Sequence, residues 1–449
     1  MGHLLPKREI AFSSAVAFTG LTVARLLGFL FSVAAARILV PGDYGRVAYA
    51  LAIAALASVM LSSSPIGLSR FLARETQDRF RQQEHFSNWI GVVGLLLGAS
   101  LLVAGPISAA AGLSRWLAVG VGTNLIGTAV LETYREVQRG MGRYGLQAVF
   151  YSLANLIQLA GILVAAAFGL ASPALFVVVY GCSSLVACVL MELTAPVGLR
   201  FVRRSVSRER MLVVLRFIWP LLLQSVFFAI WFNADLVMVQ HLLPAASTGD
   251  YAAAKTLANA VWMAPAAISM VLLPQVARLP EDAVRRRLPG FVGFGALVTM
   301  PGVFALALVG RPLVLAIFGN AYPDATTPLV LIGLGMAMHG LYLVFFSIWV
   351  GLGRPLIDLV ATAAGMSTTV AVAFFLIPFG GLAGAAIAFA FGAGVRLGVI
   401  SGFTAWSLYL RPSRPMSGTV TALVPETPMV AAAQGGRDSI RLDGDAANA

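Results

Sequence analysis

Twelve long apolar runs follow one another along this chain, separated by short polar segments rich in arginine and glycine. They lie approximately at 10–36, 44–68, 87–111, 114–133, 147–169, 173–198, 212–240, 249–277, 290–310, 325–350, 355–377 and 380–409. About 20 apolar residues carry a helix across the hydrocarbon core of a bilayer. The runs hold Val, Ile and Phe, yet they are too long for strands and lack the alternation of a membrane barrel. Lipid offers backbone N–H and C=O groups no partner, so only segments that satisfy their own backbone can cross it. The pattern predicts an all-α polytopic membrane protein with about twelve transmembrane helices.

Composition agrees. Of 449 residues, 59% are hydrophobic and 11% are charged, against roughly 25% charged in soluble domains. No soluble fold of this size hides so much apolar surface. The first run contains Arg25 and exceeds the ~7–15 residues of a signal-peptide core, so it is expected to be the first span rather than a cleaved leader. Cys182 and Cys188 share one apolar run and form neither a disulfide framework nor a metal site.

The net charge is +12. Such an excess usually raises nucleic acid as a partner. Its distribution points elsewhere. Placed on the twelve-span plan, 24 of the 31 basic residues fall in alternate loops on one side, and Arg37, Arg46, Arg115 and Arg311 on the other. That is the positive-inside pattern, with both termini cytoplasmic. No nucleic-acid partner is expected. From Arg411 to Ala449 apolar periodicity is lost among prolines and small residues, and a disordered cytoplasmic tail is expected.

Two short motifs recur. Leu39-Val40-Pro41 leads into Gly42-Asp43-Tyr44, and Leu242-Leu243-Pro244 leads, after an insertion, into Gly249-Asp250-Tyr251. Gly140-x-Gly142-Arg143 follows the fourth run, and Gly351-x-Gly353-Arg354 follows the tenth, at a nearly equal offset along the chain. Repeats in matching order at matching places indicate duplication. Six spans is an even number, so both copies face the same way and their pseudo-twofold axis runs along the membrane normal. The expected organisation is a six-helix lobe over 1–198, a basic linker over 199–211, a second lobe over 212–410 and the tail over 411–449.

Ionisable groups at membrane depth are costly and mark function. Arg25, Lys255 and Arg396 are candidates to line a wet cavity and hold an anionic group, because guanidinium forks and ammonium groups suit phosphate. Asp235 could partner one of them or take up a coupling ion. It could equally pair with Lys255 simply to fix packing. Asn124, Asn155, Gln158, Gln224, Asn233 and Asn259 could bond sugar hydroxyls or act as glue between helices. Glu132 and Arg70 lie nearer span ends and are expected to snorkel. Prolines 220, 265, 274 and 301 allow bending. The sequence has no Gly-x-x-x-x-Gly-Lys-Ser/Thr loop for ATP, and its four histidines are scattered rather than spaced as metal ligands. Neither an enzymatic activity nor a cofactor is expected.

The stretch Gly28 to Tyr49, GFLFSVAAARILVPGDYGRVAY, resembles the opening of the polysaccharide-biosynthesis flippases of the multidrug/oligosaccharidyl-lipid/polysaccharide exporter superfamily. Arg37, Leu39, Pro41, Tyr44 and Gly45 fit that family's first turn, and Val40 stands where Gly is usual. Ala234-Asp235-Leu236-Val237-Met238-Val239 is similar to its seventh span, and Gly249 to Lys255 to the start of its eighth. The resemblance runs over roughly 8–410. It implies an inner-membrane flippase for undecaprenyl-diphosphate-linked oligosaccharide, working by alternating access between two MATE-like lobes. It also implies work beside polysaccharide polymerase and export machinery, with Arg25 and Lys255 at cavity positions and Asp235 as the span-7 acid. A drug exporter of the same superfamily and a non-transporting assembly component stay open.

Overall fold

A computed structural model describes residues 7–74, 78–276, 279–352, 354 and 356–410. The expected tail falls outside the described residues, as do Gly353 and the side chain of Arg70. Among the described residues there are helices and no strands. The order is α1 (Lys7–Ile38), α2 (Pro41–Ser63), α3 (Leu68–Arg74), α4 (Arg79–Ala110), α5 (Arg115–Gly140), α6 (Tyr144–Ala167) and α7 (Pro173–Thr194). Then come α8 (Arg208–Leu242), α9 (Ala245–Ala258), α10 (Ala260–Val276), α11 (Glu281–Phe318), α12 (Thr326–Gly351) and α13 (Leu356–Ala405).

Every predicted run is occupied by helix, but the elements do not map one to one. Among the described residues, eight helices are long and apolar enough to cross a bilayer. The first helix α1, the short α3, the polar α5 and the short α9 and α10 fall outside that set; α9 and α10 together occupy the eighth run, broken at Asn259. The last two runs form the single element α13, which turns at Gly381, where φ is 54°. A side chain there would be strained, whereas glycine is not. The two arms lie antiparallel. A Cβ on Gly365 would come within 2.8 Å of the Arg396 Cβ, and one on Gly384 would overlap the Leu376 carbonyl oxygen.

Local signals explain the boundaries. Pro41 and Pro173 begin α2 and α7, where a missing N–H costs nothing. Asp78, Ser114, Ser172 and Ser207 each accept a backbone N–H at the start of α4, α5, α7 and α8, which satisfies a donor the helix itself leaves unpaired.

Two large apolar cores and a smaller one around Leu131, Phe150 and Cys188 hold the bundle among the described residues. One, at the end opposite the basic loops, joins Phe31, Ala35, Tyr44 and Val47 to Trp231, Val239, Tyr251, Phe318, Tyr322 and Phe389. The other, toward the basic loops, joins Leu61, Leu68, Phe86, Trp89 and Val92 to Val214, Ile218 and Leu222. Helix α8 thus contributes its first half to one core and its second half to the other. Pro220 lies between Ile218 and Leu222, which both belong to the second core and come before the change-over, and it removes one helical hydrogen bond. The basic linker before α8 is docked on α4. The Val202 N–H donates to Ser87 Oγ at 3.0 Å, the Ser207 N–H to Asn88 Oδ1 at 2.9 Å, and Asn88 Nδ2 to the Ser205 carbonyl at 2.8 Å. Arg210 and Glu84 complete the attachment as an ion pair.

Candidate functional site

The three expected cations sit around one layer of aromatic rings, but in different states of engagement. Lys255, on α9, faces Asp235 on α8. Its Nζ lies 2.7 Å from Oδ1 and 2.8 Å from Oδ2, and it also donates to the Phe232 carbonyl. Tyr251 donates its hydroxyl to Asp235 Oδ2 at 2.7 Å, and the Leu236 N–H reaches Oδ1 at 2.8 Å. All three ammonium protons have acceptors and both carboxylate oxygens have donors. Both residues are buried. Of the two readings of Asp235 in the sequence, this is the pairing geometry.

Arg396, on the second arm of α13, is also buried. Its guanidinium stacks on Tyr342 at 3.6 Å and lies 4.9 Å from the Trp231 ring and 5.3 Å from Phe228. It contacts His339 Nδ1 at 3.3 Å and Asp358 Oδ1 at 3.8 Å. Asp358 belongs to the first arm and is bonded by Thr362 and Gln224. The Arg396 Nε has no partner among the described residues.

Arg25, on α1, is half-buried. Its guanidinium lies 4.7 Å from the centre of the Trp262 ring on α10, with Tyr151 of α6 nearby. Among the described residues it has no carboxylate partner. The helices α1 and α10 come from opposite halves of the chain, so this contact crosses between them.

The rings form a continuous path. Lys255 lies 4.9 Å from Phe232 and from Phe389; Phe389 stacks on Trp231 at 5.1 Å; Trp231 meets His339 at 5.1 Å; His339 meets Trp262 at 5.3 Å. Arginine and lysine over aromatic faces gain about 0.5–2 kcal/mol each.

The polar candidates divide. Gln224 bonds Asp358, and Asn259 accepts from Trp262 Nε1 at 3.4 Å, so both belong to the site. Asn155 donates to the Tyr151 carbonyl, and its Oδ1 lies where a Cβ on Gly28 would touch it. Asn233 donates to the Ala229 carbonyl of its own helix. Gln158 reaches the Tyr180 carbonyl at 3.5 Å, and Asn124 is buried where α5 packs tightly on Gly181 of α7. Glu132 does not snorkel. It is buried, pairs with Arg135 and accepts the Tyr151 hydroxyl at 3.3 Å. No group of three or more His, Cys, Asp or Glu among the described residues is placed to hold a metal ion.

Away from the basic loops the halves close on each other. A Cβ on Gly249 would overlap the Pro41 carbonyl oxygen, and one on Gly45 would lie 2.8 Å from the Ala245 carbonyl oxygen. The two Gly-Asp-Tyr motifs therefore abut. Arg37 donates from Nε to the Ile317 carbonyl at 2.6 Å, Tyr322 donates to the Ala36 carbonyl at 2.7 Å, and Tyr49 meets His241 Nε2 at 2.8 Å.

The sequence profile of the polysaccharide biosynthesis protein family matches residues 34–327. The chain belongs to that family. No curated protein sequence matches it. Its fold is similar to that of solved MATE family transporters and of a lipid II flippase. An inward-facing multidrug resistance MATE family transporter superposes with a TM-score of 0.72 at 14% identity, over 88% of this chain and all of the other. The lipid II flippase MurJ in an inward closed conformation gives 0.68 at 12% identity, over 86% and 87%. An outward-facing MATE family transporter gives 0.62 at 15% identity, over 90% and 96%. This member of the polysaccharide biosynthesis family is thus a multi-pass, all-α membrane protein with a MATE-like fold.

Sequence reading missed Trp262, His339, Trp231, Tyr342, Tyr251 and Asp358. Rings in apolar runs look like ordinary lipid-facing or core residues. Asp358 carried a usable signal, a carboxylate just inside an apolar run, but its tie to Arg396 exists only because α13 doubles back at Gly381.

Proposed function

We propose that this protein is an inner-membrane flippase. It moves undecaprenyl-diphosphate-linked oligosaccharide repeat units from the cytoplasmic to the periplasmic face, for capsule, exopolysaccharide or O-antigen synthesis. The observation that carries the reading is Arg25, a half-buried guanidinium at membrane depth with no carboxylate among the described residues, pointing across the two halves at a partly exposed ring. An isolated cation there is costly unless an anion uses it. A diphosphate supplies two charged, bidentate acceptors of matching geometry. Arg396 is the second cation toward this layer, held loosely by Asp358 at 3.8 Å with one N–H unused. Lys255 serves differently: it holds α9 to α8.

The mechanism is alternating access between two six-helix lobes, with both termini cytoplasmic. The closed seam at Gly45, Gly249, Arg37 and Tyr322 supports an inward-facing state, as does the higher similarity to the inward-facing than to the outward-facing MATE transporter. Substrate would enter from the cytoplasmic leaflet, meet Arg25, and leave when the seam parts. Pro220, inside α8 and a little before the helix passes from one core to the other, gives that motion a bending point. Export of cationic drugs is the weaker reading, because Asp235 and Asp358 are both engaged by basic groups.

The test is accumulation of sugar-diphosphate-lipid on the cytoplasmic face of a deletion strain. Wild-type protein should clear it, and well-expressed Arg25→Ala should not. Normal surface polysaccharide without accumulation sinks the proposal.

A further inference from the structure

We infer that Trp262 is the platform on which the sugar directly attached to the diphosphate stacks, and that Arg25 covers this platform when the site is empty. The inference rests on the flippase reading above and assigns a second part of the same site.

Three observations carry it. The first is engagement. Each cation lies over aromatic rings, but Lys255 and Arg396 are also held by carboxylates, whereas Arg25 is held over Trp262 without one among the described residues. Arg25 is therefore the cation free to leave its ring when a stronger anionic partner arrives. The second is exposure. Trp231 and Phe389 are fully buried and stacked on each other, and His339 is buried between rings. Trp262 is partly exposed and faces the opposite half of the chain. The third is positioning. The Trp262 Nε1 donates to Asn259 Oδ1 at 3.4 Å, from the break between α9 and α10. That bond sets the ring's tilt, and the remaining donors of the Asn259 amide lie one turn away for a hydroxyl.

The chemistry fits a hexopyranose. The C–H face of a pyranose is apolar and weakly positive, and an indole face is apolar and negative, which is also why Arg25 stacks there. A diphosphate that draws Arg25 away uncovers the ring beside the anomeric carbon. The platform reads the presence of a sugar ring; Arg25 reads the diphosphate.

The experiment uses purified full-length protein in nanodiscs and two probes, undecaprenyl diphosphate and undecaprenyl-diphospho-glucose. Wild type should bind the glucosylated lipid more tightly, by about five- to tenfold, the scale of one aromatic stack. Trp262→Leu should lose that increment while keeping its affinity for undecaprenyl diphosphate. Trp262→Phe, which keeps a stacking face, should retain most of it, and shows that a loss in the leucine variant is not misfolding. Arg25→Gln should weaken binding of both lipids and keep the sugar increment. If Trp262→Leu binds both lipids as wild type does, the platform is refuted while the diphosphate site stands. If wild type binds neither lipid, the diphosphate reading falls and the platform falls with it.

Discussion

Neutralising Lys255 alone should damage the protein far more than neutralising Lys255 and Asp235 together. The ammonium of Lys255 lies 2.7 Å from the nearer carboxylate oxygen of Asp235. Coulomb's law at an effective dielectric of ~20 makes the attraction at that spacing about 6 kcal/mol. Desolvation offsets much of it, so the net worth of a buried pair is small. Removing one partner is different, because it strands the other charge and costs about 3–5 kcal/mol. In Lys255→Met, Asp235 keeps only the Tyr251 hydroxyl and the Leu236 N–H. In Asp235→Leu, Lys255 keeps only the Phe232 carbonyl and two ring faces. Each single variant should lose several degrees of apparent Tm as a fluorescent fusion in detergent. The double variant should recover most of the loss, since two apolar side chains of similar volume replace a fully satisfied pair. Clearance of lipid-linked sugar should follow the same order, with the double variant active. Equal stability of the single variants and wild type would refute the electrostatic argument. A double variant that is stable but inactive would instead put Lys255 on the substrate.

Three further outcomes follow from the geometry. Gly249→Ala drives a methyl into the Pro41 carbonyl oxygen and should prise open the seam opposite the basic loops. In a background lacking Cys182 and Cys188, a cysteine replacing Thr256, which meets Tyr44 beneath the seam, should then react faster with a membrane-impermeant maleimide added from outside; an unchanged rate argues against a seam there. Gly365→Ala pushes a methyl against Arg396 and the Gly392 carbonyl, and overpacking of about 1–3 kcal/mol should lower the yield of folded protein. Asn88→Ala removes the bonds to Ser205 and Ser207. It leaves backbone groups unpaired, at about 1–3 kcal/mol. Tryptic cleavage at Arg203 and Arg204 in inside-out vesicles should speed up, and a wild-type cleavage rate would mean the linker is not held through Asn88.

The parts of this protein legible along the chain are those set by periodicity and local chemistry. Run length and the absence of partners in lipid dictate helices. The Gly-Asp-Tyr and Gly-x-Gly-Arg repeats are visible as strings, and Arg25, Asp235, Lys255 and Arg396 stand out by the cost of their depth alone. The Asp235–Lys255 contact at 2.7 Å is a property of the folded chain that no local pattern carries. The three cations, alike in the sequence, differ in burial and in partners once folded.

What the sequence determined by itself is therefore a helical membrane protein with charges placed at depth, because hydrophobicity and the expense of burying an ion act residue by residue. What only the tertiary structure decided is which charge lacks a carboxylate partner among the described residues. Lys255 is neutralised by a carboxylate on the neighbouring helix α8, and Arg396 by one on the opposite arm of a hairpin, whereas Arg25 faces an indole from the other half of the chain. Electrostatic freedom depends on distances of a few ångströms between segments far apart in sequence, and folding alone sets those distances.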